Sequence, residues 1–219
     1  MGVPILVLGR SGVGKTSGAR NFKPGEALVI STIGKPLPFR ARLRQVNTRD
    51  YKLVCLEMRD APEKVVILDD AGYLITGEFM DGHSAQRGGS SVFDLYNSIA
   101  DNFWKLFRFI VDKVPDDKTV YVMMHVERGD DGYFQPKTVG KLLNEKVDIP
   151  GMVTICLFAE FADGQHVFHT RNREFTPAKC PPDMELADTM DNDLAAIDDA
   201  VRDYWSMPSR EVDDGDDEA

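Results

Sequence analysis

The apolar run Pro4–Leu8 leads directly into Gly9-Arg10-Ser11-Gly12-Val13-Gly14-Lys15-Thr16, with Ser17 behind it. The spacing is G-x-x-x-x-G-K-T, which demands a buried strand, a glycine-rich loop and a helix in that order. Such a loop turns its backbone N–H groups inward, and the positive end of the helix adds to their pull on phosphate. Gly9, Arg10, Ser11, Gly12, Val13, Gly14, Lys15, Thr16 and Ser17 are therefore the candidate nucleotide-binding residues. In that role the Lys15 ammonium reaches the β- and γ-phosphates and the Thr16 hydroxyl ligates Mg²⁺. The expected ligand is a nucleoside triphosphate.

Val65-Val66-Ile67-Leu68 is a second apolar run, and it ends in Asp69-Asp70. A parallel strand buried on both faces has this composition, and ligands of α/β sheets bind at the carboxyl ends of such strands. Behind a P-loop, Asp69 is expected to hold Mg²⁺ through water, and Asp70 is the nearest candidate for positioning an attacking water.

The remaining chain alternates strands and helices. Expected strands are Ala27–Ser31 and Thr119–Met124, the latter ending at His125. Expected helices are Lys15–Asn21, Tyr51–Met58, Val92–Val114 and Lys137–Glu145, with Asp191–Trp205 as a closing amphipathic helix. The prolines of Lys35-Pro36-Leu37-Pro38-Phe39 forbid a central strand there. Arg40, Arg42 and Arg44 share one side if extended, as a solvated edge or a nucleic-acid stripe. Asp81–Ser91, which contains Arg87, and Glu127–Pro136 look like polar loops. Met152–Phe161 and His166–Thr170 flank Ala162-Asp163-Gly164-Gln165 as a hairpin, with His166 and His169 facing opposite ways. The pattern predicts an α/β fold with a mostly parallel sheet, helices on both faces and a C-terminal β-hairpin.

At 219 residues and 42% hydrophobic content, one domain is expected over residues 1–206, with an acidic, disordered tail over 207–219. The net charge of −10 argues against nucleic acid, but about half of the excess lies in the acidic end, so the body can still carry basic patches. No apolar run is long enough to span a bilayer, and no basic leader precedes the first strand. Three scattered cysteines form no framework, which fits a cytoplasmic protein.

Gly9–Ser17, Ile33–Phe39, Val65–Met80, Lys137–Leu143 and Thr176–Lys179 together resemble a family of phage-encoded ATP-binding proteins. These are RecA-like P-loop ATPases related to the Sak-type single-strand annealing recombinases. The resemblance runs to about Met184, and its narrow signals are the Asp-Asp-Ala-Gly-Tyr and Lys-Thr-Val-Gly-Lys runs. It implies a RecA-like core, ATP hydrolysis, and a role in phage DNA recombination or replication inside the bacterial host. His125 matches the position of a γ-phosphate sensor, and Arg171-Asn172-Arg173 is similar to the element such ATPases send into a neighbour's nucleotide site. Arg171 and Arg173 are thus implied trans-acting groups of a homo-oligomer. The family's usual glutamate after the second strand has no counterpart in Ser31-Thr32-Ile33, which leaves Asp70, then Glu57, as candidate bases.

Two functions follow as expectations. The first is an ATPase on single-stranded DNA, with Lys137, Lys141, Arg87, Tyr133 and Phe134 as a cationic, stacking surface despite the acidic Asp130-Asp131. The second is a nucleotide-switched module, such as a helicase loader or assembly factor, that contacts phage or host replication or recombination proteins. A small-molecule phosphotransferase ranks last, because Arg87 alone supplies cation to a lid.

Overall fold

The computed structural model describes residues 1–40, 42–85 and 90–210. Arg87 and the acidic end from residue 211 lie outside the described residues, as does the side chain of Lys141. Strand β1 (Val3–Leu8) feeds the glycine loop, and a six-residue 3-10 helix (Thr16–Asn21) follows. Next come β2 (Ala27–Ser31), β3 (Arg44–Asn47), α1 (Tyr51–Asp60), β4 (Val65–Asp69) and α2 (Gly72–Gly82). The long helix α3 (Ser90–Lys113) leads to β5 (Thr119–Met124) and a small antiparallel pair, β6 (Val126–Arg128) and β7 (Phe134–Pro136). The chain closes with α4 (Lys141–Lys146), β8 (Ile155–Ala162), β9 (Gln165–His169), β10 (Thr189–Asp191) and α5 (Leu194–Tyr204).

The main sheet has eight strands in the order β10-β9-β8-β1-β5-β4-β2-β3. From β8 to β3 every neighbouring pair is parallel, while β9 turns back antiparallel on β8 and β10 on β9. The fold is therefore α/β with a mostly parallel mixed sheet. Successive side chains of a strand point to opposite faces. Leu6, Leu8, Val66, Leu68, Val120 and Val122 pack with α1, α2 and α3, including Met58, Leu74, Phe103 and Phe107. Ile5, Val7, Ile67, Tyr121 and Met123 pack on the other face with Ala19, Phe22, Phe168 and the α5 residues Leu194, Ile197 and Val201. Burial on both faces explains why these strands are continuous apolar runs rather than alternating ones.

Register brings the strand tips to one edge. Leu8 lies opposite Met124 and Phe158, and Ser31 lies opposite Asp69 and Asn47. The loops that carry the candidate site all leave from that edge.

The structure departs from expectation in several places. The helix after the P-loop is one 3-10 segment, because Gly18 and the Pro24-Gly25 stop leave too little helix-forming sequence. Its dipole is correspondingly small, so the loop's own N–H groups are the main positive dipoles at this edge. The expected polar loop at Glu127–Pro136 is the β6–β7 hairpin: Gly132 takes a positive φ of 83° and the Asp131 carboxylate accepts from Tyr133 N at 3.0 Å. An Asp-Gly pair between short strands is a hairpin signal that polarity masked. Across Asp81–Ser91, α2 reaches Gly82, a 3-10 turn covers His83–Ala85, and α3 starts at Ser90. Helix α4 starts late because Gly140 sits at φ 94°, outside helical backbone. Asp193 caps α5 by accepting from Ala195 N and Ala196 N, which pushes that helix past Asp191 into the sheet-and-cap arrangement seen. The short edge strands β3 and β10 escaped the pattern reading altogether.

Within the described residues the end of the chain packs through Arg210, whose guanidinium faces Glu26 at 3.3 Å and Asp198 at 3.5 Å and also pairs with Asp199. No helix among the described residues is long and apolar enough to cross a membrane.

Candidate functional site

The P-loop turns at the tip of β1 through two left-handed glycines, Gly12 at φ 79° and Gly14 at φ 93°. Gly14 has a second reason to lack a side chain, since a Cβ there would lie 3.0 Å from the His166 ring. The Gly14 carbonyl accepts from Gly18 N at 3.0 Å and from Asn192 Nδ2 at 3.0 Å. Arg20 in turn donates to the Asn192 side-chain oxygen at 3.0 Å and to its carbonyl. The loop is thus held from below by the residue that joins β10 to α5.

Lys15 is 6% exposed. Its ammonium donates to the carbonyls of Gly9 at 2.9 Å and Arg10 at 2.8 Å, and lies 3.2 Å from His125 Nδ1. Burial pushes its pKa down to about 8, against the pull of Asp70 and Asp69. Thr16 Oγ1 donates to Asp69 Oδ1 at 2.8 Å. Burial, then the neighbouring Asp70 charge, raises the Asp69 pKa, and the Thr16 bond opposes this.

Asp70 takes a left-handed φ of 58°, an uncommon backbone for a non-glycine residue. Thr32 Oγ1 donates to the carbonyls of Asp69 at 3.2 Å and Asp70 at 2.8 Å, and Tyr73 N donates to the Asp70 carbonyl at 2.9 Å. Those bonds hold the turn that aims the carboxylate back over the sheet edge. One Asp70 oxygen pairs with Lys35, and the other lies 3.2 Å from His125 Nε2. Burial alone would raise the Asp70 pKa, but the bonds from His125 and Lys35 outweigh it and hold the carboxyl at about 2. His125 therefore bridges the two halves of the site. An acceptor at Nε2 and an ammonium at Nδ1 fit the neutral ring with its proton on Nε2.

Ser11, Gly12, Gly14, Lys15, Thr16, Ser17, Lys35, Asp70, His125 and His166 line one cleft of ≈ 390 Å³. Most of the expected site residues meet there, with Gly9 and Asp69 bonded just beneath. Val13 instead packs against the core on the α5 side. The Arg10 side chain turns away to the Phe134 ring, 5.4 Å from its centroid. Arg171 folds back on its own chain, 3.2 Å from Asp188 and bonded to the carbonyl of Met184 at 3.3 Å. Arg173 is exposed and lines a separate groove of ≈ 510 Å³ with Arg10, Arg128, Glu160 and Phe175. The two arginines do not project together. Glu57 bonds Arg44 at 3.1 Å, and Arg44 starts β3 three positions before the tip residue Asn47, so Glu57 is directed toward the far edge of the sheet. Arg44 also pairs with Glu63, which removes it from a free arginine stripe.

Lys35, Thr32, Asn192 and His166 were not identified as site residues from the sequence. Lys35 sits in the Ile33–Phe39 run, whose prolines spoke only about strands, and Asn192 is brought in from the far end of the chain. A hydroxyl and a carboxylate at Thr16 and Asp69 are hard oxygen donors, which fits Mg²⁺. No cluster of three or more His, Cys, Asp or Glu that could hold a metal occurs among the described residues. Mg²⁺ at nucleotide sites needs few protein ligands beside phosphate and water.

No family model matches the chain, and no curated protein matches it at a significant level.

Proposed function

We propose that the chain binds ATP in the P-loop cleft with Mg²⁺ and hydrolyses it as a RecA-like ATPase acting on single-stranded DNA in phage recombination or replication. The observation that carries this reading is the meeting of Lys15, the Thr16–Asp69 bond and the Asp70–His125 pair at one edge of the sheet. Topology explains the meeting. Strand β5 lies between β1 and β4, so the residue that leaves its tip, His125, falls between the P-loop and the two aspartates.

In this reading Lys15 exchanges the Gly9 and Arg10 carbonyls for β- and γ-phosphate oxygens. Thr16, and Asp69 through water, would hold Mg²⁺, which supplies charge neutralisation on the phosphates. His125 stands at the γ-phosphate, and Asp70, its carboxyl held low by its bonds from His125 and Lys35, orients water rather than taking its proton strongly. For DNA, Arg10, Arg128 and Lys137 supply cation beside the half-exposed Tyr133, which packs edge-on to Phe175 at 5.4 Å. Part of the acidity of that hairpin is local turn chemistry, since Asp131 bonds Tyr133 N. Arg173 is the group available to a second copy in a homo-oligomer.

A nucleotide-switched protein-binding module is the second reading. It is favoured by Asp70, the one acid lining the cleft among the described residues, being already held by Lys35 and His125.

The test is nucleotide binding and phosphate release, with and without single-stranded DNA, at two salt concentrations. Lys15→Ala is expected to weaken ATP binding about tenfold or more and to bring turnover to background while the melting temperature holds. Stimulation by DNA should fade with salt. Binding without turnover selects the switch reading, and a folded wild-type chain that binds no nucleotide overturns both.

A further inference from the structure

The loop between β2 and β3 is built to present one cation. Gly34 takes a left-handed φ of 75°, and its N–H donates to Ser31 Oγ at 3.0 Å. The Lys35 carbonyl then accepts from Gln45 Nε2 on β3 at 3.0 Å. With its backbone pinned at both points, Lys35 extends over the cleft to Asp70, opposite Lys15 and the P-loop. Its side chain is 48% exposed while that of Asp70 is 4% exposed. A half-solvated ion pair adds little to stability. Asp70 also has His125 at its other oxygen, so the need of a buried carboxylate for a hydrogen-bond donor does not by itself account for the lysine.

A triphosphate brings more negative charge than Mg²⁺ and one lysine neutralise, and catalysis of its cleavage rests on charge stabilisation at the terminal phosphate. We propose that Lys35 is a binding residue for the terminal phosphate of a nucleoside triphosphate: when the cleft fills, its ammonium leaves Asp70 for that phosphate. The exchange frees one Asp70 oxygen to hold water beside the same phosphate. This inference rests on the nucleotide-binding reading above.

The experiment titrates ADP and a non-hydrolysable ATP analogue, both with Mg²⁺, into wild type, Lys35→Ala, Lys35→Arg and Lys15→Ala. Lys35→Ala is expected to lose about tenfold or more in affinity for the triphosphate analogue, to keep ADP affinity within about threefold, and to melt like wild type without ligand. Lys35→Arg should recover most of the preference for triphosphate. An unchanged triphosphate-to-diphosphate ratio in Lys35→Ala, with Lys15→Ala still impaired for both ligands, overturns the role of Lys35 and leaves the nucleotide site standing. A folded wild type that binds neither ligand removes the site and this proposal together. If Lys35→Ala melts early, Lys35→Gln keeps the stem and decides by the same ratio.

Discussion

Asp69 and Asp70 are chain neighbours, yet burial and mutual repulsion raise the proton affinity of the first while His125 and Lys35 lower that of the second to about 2. The difference comes from the left-handed turn at Asp70, which sends its carboxylate to two donors while Asp69 stays beneath Thr16. Asp69→Asn removes the charge that orients the Thr16 hydroxyl and that, in the proposed reading, would orient the outer shell of Mg²⁺. It is expected to cost about tenfold to a hundredfold in Mg²⁺-dependent nucleotide affinity. Asp70→Asn keeps the side-chain shape and should leave affinity within about threefold while slowing phosphate release about a hundredfold or more. Nucleotide titrations with and without Mg²⁺, beside phosphate-release rates, separate the two. Full turnover in Asp70→Asn would show that another group orients the water.

At the scale of elements, the P-loop depends on a segment from the other end of the chain. Asn192, 3% exposed, ties the Gly14 carbonyl to Arg20 and so joins the loop to the β10–α5 junction. Asn192→Ala leaves a loop carbonyl and a guanidinium short of a partner. The expected cost is about 1–2 kcal/mol in stability, read by chemical denaturation, with weaker nucleotide binding as the loop loosens. A stability loss without any change in nucleotide affinity would make Asn192 a packing residue alone. The β6–β7 hairpin is coupled to the same loop from above. Phe134 packs on Phe158 at 5.2 Å and carries the Arg10 and Arg128 guanidiniums at 5.4 and 5.3 Å. Phe134 is thereby committed within the protein, and Tyr133 is the aromatic left toward solvent.

Across the whole molecule, a buried ionic network ties α5 to the edge of the sheet opposite the P-loop. Asp198 accepts from Thr119 at 2.6 Å, Tyr121 at 3.1 Å and Arg202 at 2.6 Å, and Arg202 also donates to the carbonyls of Asp117, Lys64 and Pro208. Away from this network, Arg173 stands exposed to solvent, while Arg171 is taken up by Asp188. Phosphate release within an assembly is therefore expected to need Arg173 and not Arg171. Lys15→Ala and Arg173→Ala subunits, each inactive alone, should regain part of their phosphate release when mixed, because a Lys15→Ala subunit still lends its arginine to an intact P-loop. An arginine supplied in trans can be worth about a thousandfold in rate. Mixed subunits that assemble but stay inactive would remove the trans role.

The glycine-rich loop after β1, the aspartate pair at the end of β4, the α/β class and the strands β1, β2, β4, β5, β8 and β9 were legible in the chain because each is a local pattern. Apolar runs buried on both faces, the glycine spacing and the acids at a strand end carry their meaning within a few residues. The hairpin at β6–β7 was local too, but its Asp-Gly turn was outweighed by the polarity around it. What tertiary structure alone decided is which distant residues share the site. Inserting β5 between β1 and β4 set His125 between Lys15 and Asp70. The β2–β3 loop delivered Lys35, and the β10–α5 junction delivered Asn192. The same holds for Asp198 and Arg202, whose spacing reads as a surface helix pair yet which are buried against β5. Local sequence sets backbone preference and burial tendency, but the pairing of charges across loops depends on strand order and register, which no single segment contains.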